Sequence, residues 1–160
     1  MGFKEQLINI STAIDNVLAG MTDYFTVIKE GMTQPIDEFP CVFYWPGGEI
    51  PHGNDYLDGD LIKMEYTIAA YDYDPGEGEE PEEPYYDTYL EAEQRSRAMA
   101  ADLADEFGKW EHRHLSKAVA QSQVIRTVID PGEAPKAMGG GMMAAGGIKL
   151  LVVFRKQRAA

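Results

Sequence analysis

The chain has 160 residues, of which 44% are hydrophobic and 11% aromatic, and 27 acidic against 14 basic side chains give it a net charge of −13. That length and apolar content fit one domain around one core and exclude global disorder. The shortage of Lys and Arg excludes ordinary binding to nucleic-acid phosphates.

The chain opens with an amphipathic pattern. Phe3, Leu7, Ile10, Ile14, Val17 and Met21 recur at steps of four and three, which predicts a helix over Phe3–Met21 with one apolar stripe and Gly20 near its end. Tyr24–Glu30 (YFTVIKE) is β-branched and aromatic and predicts a first strand closed by Gly31. Phe39–Trp45 (FPCVFYW) predicts a second, with Pro40 confined to an edge or to the strand's beginning. The single Cys41 excludes an internal disulfide, suits a reducing cytoplasm and reads as a buried strand thiol. Residues 46–60, rich in Gly, Pro and Asp, read as a loop. Leu61–Tyr73 alternates clearly: Ile62, Met64, Tyr66, Ile68 and Ala70 share one face, Lys63, Glu65 and Thr67 the other.

Residues 74–84 form a long acidic loop. From Asp72 to Asp87 the chain carries Asp74, Glu77, Glu79, Glu80, Glu82 and Glu83 with no Lys or Arg, punctuated by Pro and Gly. A second helix is predicted over Tyr85–Lys109, where Tyr89, Ala92, Ser96, Ala100, Leu103 and Phe107 make a stripe whose small members permit close packing on a sheet. Trp110–Gln121 reads as a short helical turn or loop. Gln123–Asp130 and Ile148–Lys156 are the last two strands. In the latter, Ile148, Leu150, Val152 and Phe154 share one face, while Leu151 and Val153 make the opposite face apolar too, a pattern that asks for burial on both sides.

Between those strands lies Pro131–Gly147, much longer than the roughly two to five residues of an ordinary hairpin loop and costing roughly 2 kcal/mol more in closure entropy than a two-residue turn. It contains Gly139, Gly140, Gly141, Met142, Met143, Gly146 and Gly147, soft apolar side chains on a permissive backbone, and reads as a docking arm over 131–147. Tyr85 and Tyr86, beside the acidic loop, are candidate interface anchors. The expected fold is α+β, a single domain over 1–160. Its mostly antiparallel sheet is covered by two helices, in the order α-β-β-β-α-β-β, with long loops and a C-terminal hairpin arm.

Chemistry-bearing motifs are sparse. There is no phosphate-binding loop, no dinucleotide fingerprint and no nucleophile elbow. His112 and His114 follow Glu111 in a His-x-His pair without a third ligand placed by sequence. Asp55, Asp58 and Asp60 miss the one-three-five spacing of a calcium loop. Neither set is expected to hold a metal, and no cofactor or catalytic residue is expected. No apolar run nears the roughly 20 residues of a bilayer span. MGFKEQLINI lacks a secretion-signal layout, and Gln6 stands where the myristoylation pattern needs Ser or Thr.

The helical stripe Phe3–Met21, the FPCVFYW strand and its following loop, the LIKMEYTIAAY strand, the Ala-rich second helix and the final strand pair resemble, in order and texture, the tail terminator (tail completion) proteins of tailed bacteriophages. The resemblance spans nearly the whole chain and rests on no catalytic or ligand motif. It implies a non-enzymatic virion protein that assembles in the host cytoplasm into a ring, usually a hexamer, capping the tail tube. Its partners would be sister subunits, the tail tube protein and a neck or connector protein, with DNA passing through the channel without specific binding. Neck and head completion proteins share this outline. Two further readings stay open: an acidic DNA mimic that binds a basic protein through Asp72–Asp87, and a small-ligand enzyme using Asp55, Asp58, Asp60, His112 or His114.

Overall fold

The computed structural model describes residues 2–21, 24–31, 38–48, 50, 60–73, 89–133 and 141–157. The elements are helix α1 (Phe3–Gly20), strands β1 (Val27–Glu30), β2 (Cys41–Pro46) and β3 (Leu61–Asp72), helix α2 (Tyr89–Phe107), a 3₁₀ turn (Trp110–His112), and strands β4 (Gln121–Ile129), β5 (Gly132–Glu133) and β6 (Met142–Arg155). The sheet runs β1-β2-β3-β6-β4, with β5 paired to β6 beyond β4. Among the described residues only β1 and β2 are parallel, and the other strand pairings are antiparallel. The fold is α+β with the expected order of helices and strands.

Side-chain period explains how the layers meet. Ile62, Met64, Tyr66, Ile68 and Ala70 of β3 are buried, as are Ala144, Ile148, Leu150, Val152 and Phe154 of β6. Ile62, Met64, Tyr66 and Ile68 lie directly opposite Phe154, Val152, Leu150 and Ile148, and Ala70 lies opposite Gly146. Both helices rest on this face. α1 contributes Ile10, Ile14, Val17 and Leu18, and α2 contributes Ala92, Met99, Leu103 and Phe107. Full burial of a large aliphatic or aromatic side chain contributes about 1.5–3 kcal/mol, so the shared core is the main favourable term.

Polar pins fix the helices over this core. The Gln6 amide donates to the Arg155 carbonyl at 2.8 Å and accepts from the Gln157 N–H at 2.9 Å, so it acts as a short extra strand at the end of β6. Ser11 Oγ donates to Glu30 at 3.0 Å and lies 3.1 Å from the Tyr66 hydroxyl, tying α1 to β1 and β3. Over β6, the small residues of α2 let the backbones approach closely: Ser96 Oγ donates to the Ala92 carbonyl and accepts from the Ala145 N–H at 2.9 Å.

The arm over 131–147 requires correction. β5 pairs with β6 at Gly132 to Met143 and Glu133 to Met142, and Met142–Gly147 is the first part of a long strand. Gly146 and Gly147 sit mid-sheet. A Cβ at Gly146 would lie 2.1 Å from the Ser96 carbonyl oxygen, and one at Gly147 would lie 2.2 Å from that of Ile68. Glycine there answers a need for close backbone approach and not for flexibility. Smaller differences in extent also appear: the first strand begins at Val27, the fourth at Gln121 and the last at Met142.

Candidate assembly interface

Among the described residues no helix lies on the other face of the sheet. Odd-numbered residues of β2, β3 and β6 point there, and a bulge between Val124 and Arg126 shifts the alternation of β4 so that Arg126 and Val128 join them. The register then builds rows across the strands. One runs Trp45, Thr67, Lys149, Arg126; the next runs Glu65, Leu151, Gln123; a third runs Lys63, Val153, Gln121. Lys149 Nζ donates to Thr67 Oγ1 at 2.5 Å. Leu151 and Val153 are half-buried by their sheet neighbours, and Val128 is 40% exposed. Above the small residues Ala69, Ala145 and Gly147 the surface dips into a groove of about 220 Å³, walled by Trp45, Tyr71, Val128 and Lys149.

The residues singled out from sequence fall into three groups. Leu151 and Val153 do face outward together on this open face, away from both helices. Gly141 adopts a left-handed φ of 81° where the chain enters β6, Met142 and Met143 pair with β5, and Gly146 and Gly147 serve internal packing. Gly139, Gly140, Tyr85, Tyr86, Asp55 and Asp58 lie outside the described residues, as do most of the loop 46–60, all of the acidic loop 74–84 and the seven residues 134–140.

Two other places bear polar chemistry. A groove of about 390 Å³ beside α1 has Ser11, Asp15, Glu30, Tyr44 and Tyr66 among its lining residues. Because Ser11 donates to Glu30, the Tyr66 hydroxyl donates to Ser11, and the Tyr44 hydroxyl donates to Asp15 at 3.1 Å. Burial raises the pKa of both phenols, and for Tyr44 the hydrogen bond to Asp15 raises it further, so both stay protonated as donors. Among the described residues no buried side-chain nitrogen or oxygen lacks a partner, and no histidine lines the groove. The network is complete as a pin between helix and sheet.

The second place is at the end of α2, where Glu106, Glu111 and His112 bring ligand-type atoms within 4.8 Å of one another. Sequence reading noted Glu111 beside His112 but missed Glu106, which helix end and turn fold back onto His112 at 3.1 Å. The Lys109 ammonium already sits 2.6 Å from Glu106 and, with His112, holds that carboxyl below its usual range. His114 does not join this cluster: its ring bonds to the Ala120 carbonyl at 2.7 Å and accepts from Arg113 at 3.0 Å. Cys41 is buried, and burial pushes its thiol up to about 12, so it is no nucleophile at neutral pH.

The fold and surface together define a two-layer α+β unit in which no described helix covers the second face of the sheet. Cys41 and Phe43 of β2 are nonetheless buried on that face, while Leu151, Val153 and Val128 toward β6 and β4 are half-buried or exposed. Compared with known proteins, the chain matches no family model and no curated relative. No helix among the described residues is long and apolar enough to cross a membrane.

Proposed function

We propose that this protein is a structural assembly subunit, a phage tail terminator whose copies form a ring capping the tail tube and joining it to the neck. The observation that carries the reading is the sheet face that no described helix covers, where Leu151 and Val153 of β6 point away from both helices. Apolar groups on a central strand gain by transfer from water to a neighbour, at about 25 cal/mol per Å² covered. The element order supports the same reading, since it is the one the resemblance leads to. The polar groups of the α1 groove are already paired with one another, which favours a binding part over a catalyst. A neck or head completion subunit of the same assembly would use the same face.

Negative-stain electron microscopy of the purified chain, alone and mixed with tail tubes, tests this. Rings of defined symmetry, seated at tube ends in the mixture, are expected. A chain that stays monomeric at high concentration and ignores the tubes overturns the proposal.

A further inference from the structure

The open face carries an unexpected charge. In a chain of net charge −13, Lys29, Lys63, Arg126, Lys149 and Arg155 all point to this side of the sheet, against Glu65 and Asp130. Among the described residues none of Lys63, Arg126 and Arg155 has a carboxylate within ion-pair distance. Arg126 and Lys149 are moreover direct cross-strand partners. Like charges placed opposite each other in a sheet are destabilising, and here the chain sets two of its few cations in that position. An anionic group laid across the row Trp45, Thr67, Lys149, Arg126 would turn that repulsion into attraction, while Leu151 and Val153 supply the apolar part of the contact.

We propose that this basic, partly apolar sheet face docks onto the acidic residues 74–87 of a second copy of the chain, so that copies join head to tail. Charge complementarity selects the occupant: Asp74, Glu77, Glu79, Glu80, Glu82, Glu83 and Asp87 form the densest anionic stretch in the sequence, with no Lys or Arg among them. A nucleic acid presents the same sign of charge but must approach a strongly anionic molecule, against repulsion that acts within a Debye length of about 8 Å. Because the two surfaces differ, the contact can repeat head to tail from copy to copy, the heterologous arrangement that forms a ring where its rotation closes. The inference rests on the self-assembling reading above and names its interface.

Charge exchange tests it. Sedimentation velocity on the full chain is compared with Arg126→Glu/Lys149→Glu, with Glu79→Lys/Glu80→Lys/Glu82→Lys/Glu83→Lys, and with an equimolar mixture of the two variants. The wild type is expected to associate with rising concentration, each variant alone to associate at least about tenfold more weakly, and the mixture to regain association because each reversed surface meets its reversed complement. The neutral variant Arg126→Gln/Lys149→Gln, with a circular dichroism melt on every protein, separates loss of docking from loss of fold. It is expected to fall between wild type and the reversed variant.

Wild-type-like association by Arg126→Glu/Lys149→Glu, or a mixture that stays monomeric, overturns the interface while leaving ring formation intact. A wild type that never associates overturns the assembly reading itself and this inference with it. Duplex-DNA binding, followed by fluorescence anisotropy, that disappears in Arg126→Glu/Lys149→Glu while self-association persists overturns the inference in favour of nucleic acid.

Discussion

Replacing Gly146 by alanine separates a packed strand from a mobile arm by the sign of its effect. The new methyl would sit 2.1 Å from the Ser96 carbonyl oxygen, 2.9 Å from its carbon and 3.3 Å from the Ala100 nitrogen. All three are backbone atoms of α2, so no side chain can swing away. Reaching ordinary van der Waals separation requires the helix and strand to part by more than about 1 Å. That movement would stretch the Ala145 N–H to Ser96 Oγ hydrogen bond and open space under Met99 and Leu103. Overpacking usually costs about 1–3 kcal/mol, and a backbone clash belongs at the upper end, so Gly146→Ala should destabilise by about 3 kcal/mol. For a domain of this length that lowers the melting midpoint by about 6–12 °C. In a flexible segment the same change would stabilise by about 0.4–1 kcal/mol, because alanine restricts the unfolded chain. Urea and thermal unfolding followed by circular dichroism read the difference directly, and an unchanged or raised midpoint would refute the close approach of α2 to β6.

Three further outcomes are expected. Cys41, buried with its thiol pushed up to about 12, should resist a thiol-reactive dye in the native protein and react promptly in urea; fast native labelling would contradict its burial. Leu115, Ser116 and Lys117 adopt consecutive left-handed φ angles of 42°, 54° and 71°, a conformation that costs non-glycine residues about 1–2 kcal/mol each. Because Lys117 is exposed, Lys117→Gly should relieve one such cost and stabilise by about 0.5–1 kcal/mol, net of glycine's unfolded-state entropy; a lower urea midpoint would refute this. Glu106, whose carboxyl is held below its usual 4.5 first by Lys109 and then by His112, stabilises the fold above that value and loses its contribution as pH falls through the lowered one. Glu106→Gln should therefore lower the melting midpoint near neutral pH by less than about 2 °C, the difference shrinking in acid. A difference that grows in acid would reverse the assignment.

Periodicity made the layers legible. The alternation in Leu61–Tyr73 and the stripe in Phe3–Met21 each reported one buried face. The structure buries the even-numbered set of β3 and Ile10, Ile14 and Val17 of α1, with Phe3, Leu7 and Met21 partly buried at its ends. The small residues of the second helix likewise anticipated its tight seat on the sheet. Glycine-rich sequence misled at 142–147 because glycine serves two opposed purposes, freedom in a loop and absence of bulk under a crossing helix. Only the partner's position distinguishes them. Gly146 and Gly147 need the carbonyls of Ser96 and Ile68, which lie far away in sequence. The cation row was illegible for the same reason. Lys63, Arg126 and Lys149 are scattered along the chain, and the bulge in β4 is what turns Arg126 to the same side as Lys149.

An open sheet face does not by itself require a partner, since antiparallel sheets commonly keep one face wet. Solvation alone, however, would be served by mixed charges alternating across the strands, which also gain favourable cross-strand pairs. This face shows the reverse. Its strands place Arg126 directly beside Lys149 and Val153 beside Lys63, with Glu65 opposite Leu151, although the chain has nearly twice as many acids as bases to draw upon. Repulsion within one subunit is tolerable where a contact between subunits removes it, and the arrangement then discourages the isolated state relative to the assembled one. A face built in this way also disfavours the symmetric approach of two identical copies, because cation would meet cation. Under the proposed contact, face-to-face dimers are disfavoured and unlike surfaces meet instead, an approach that makes rings when it repeats head to tail and its rotation closes.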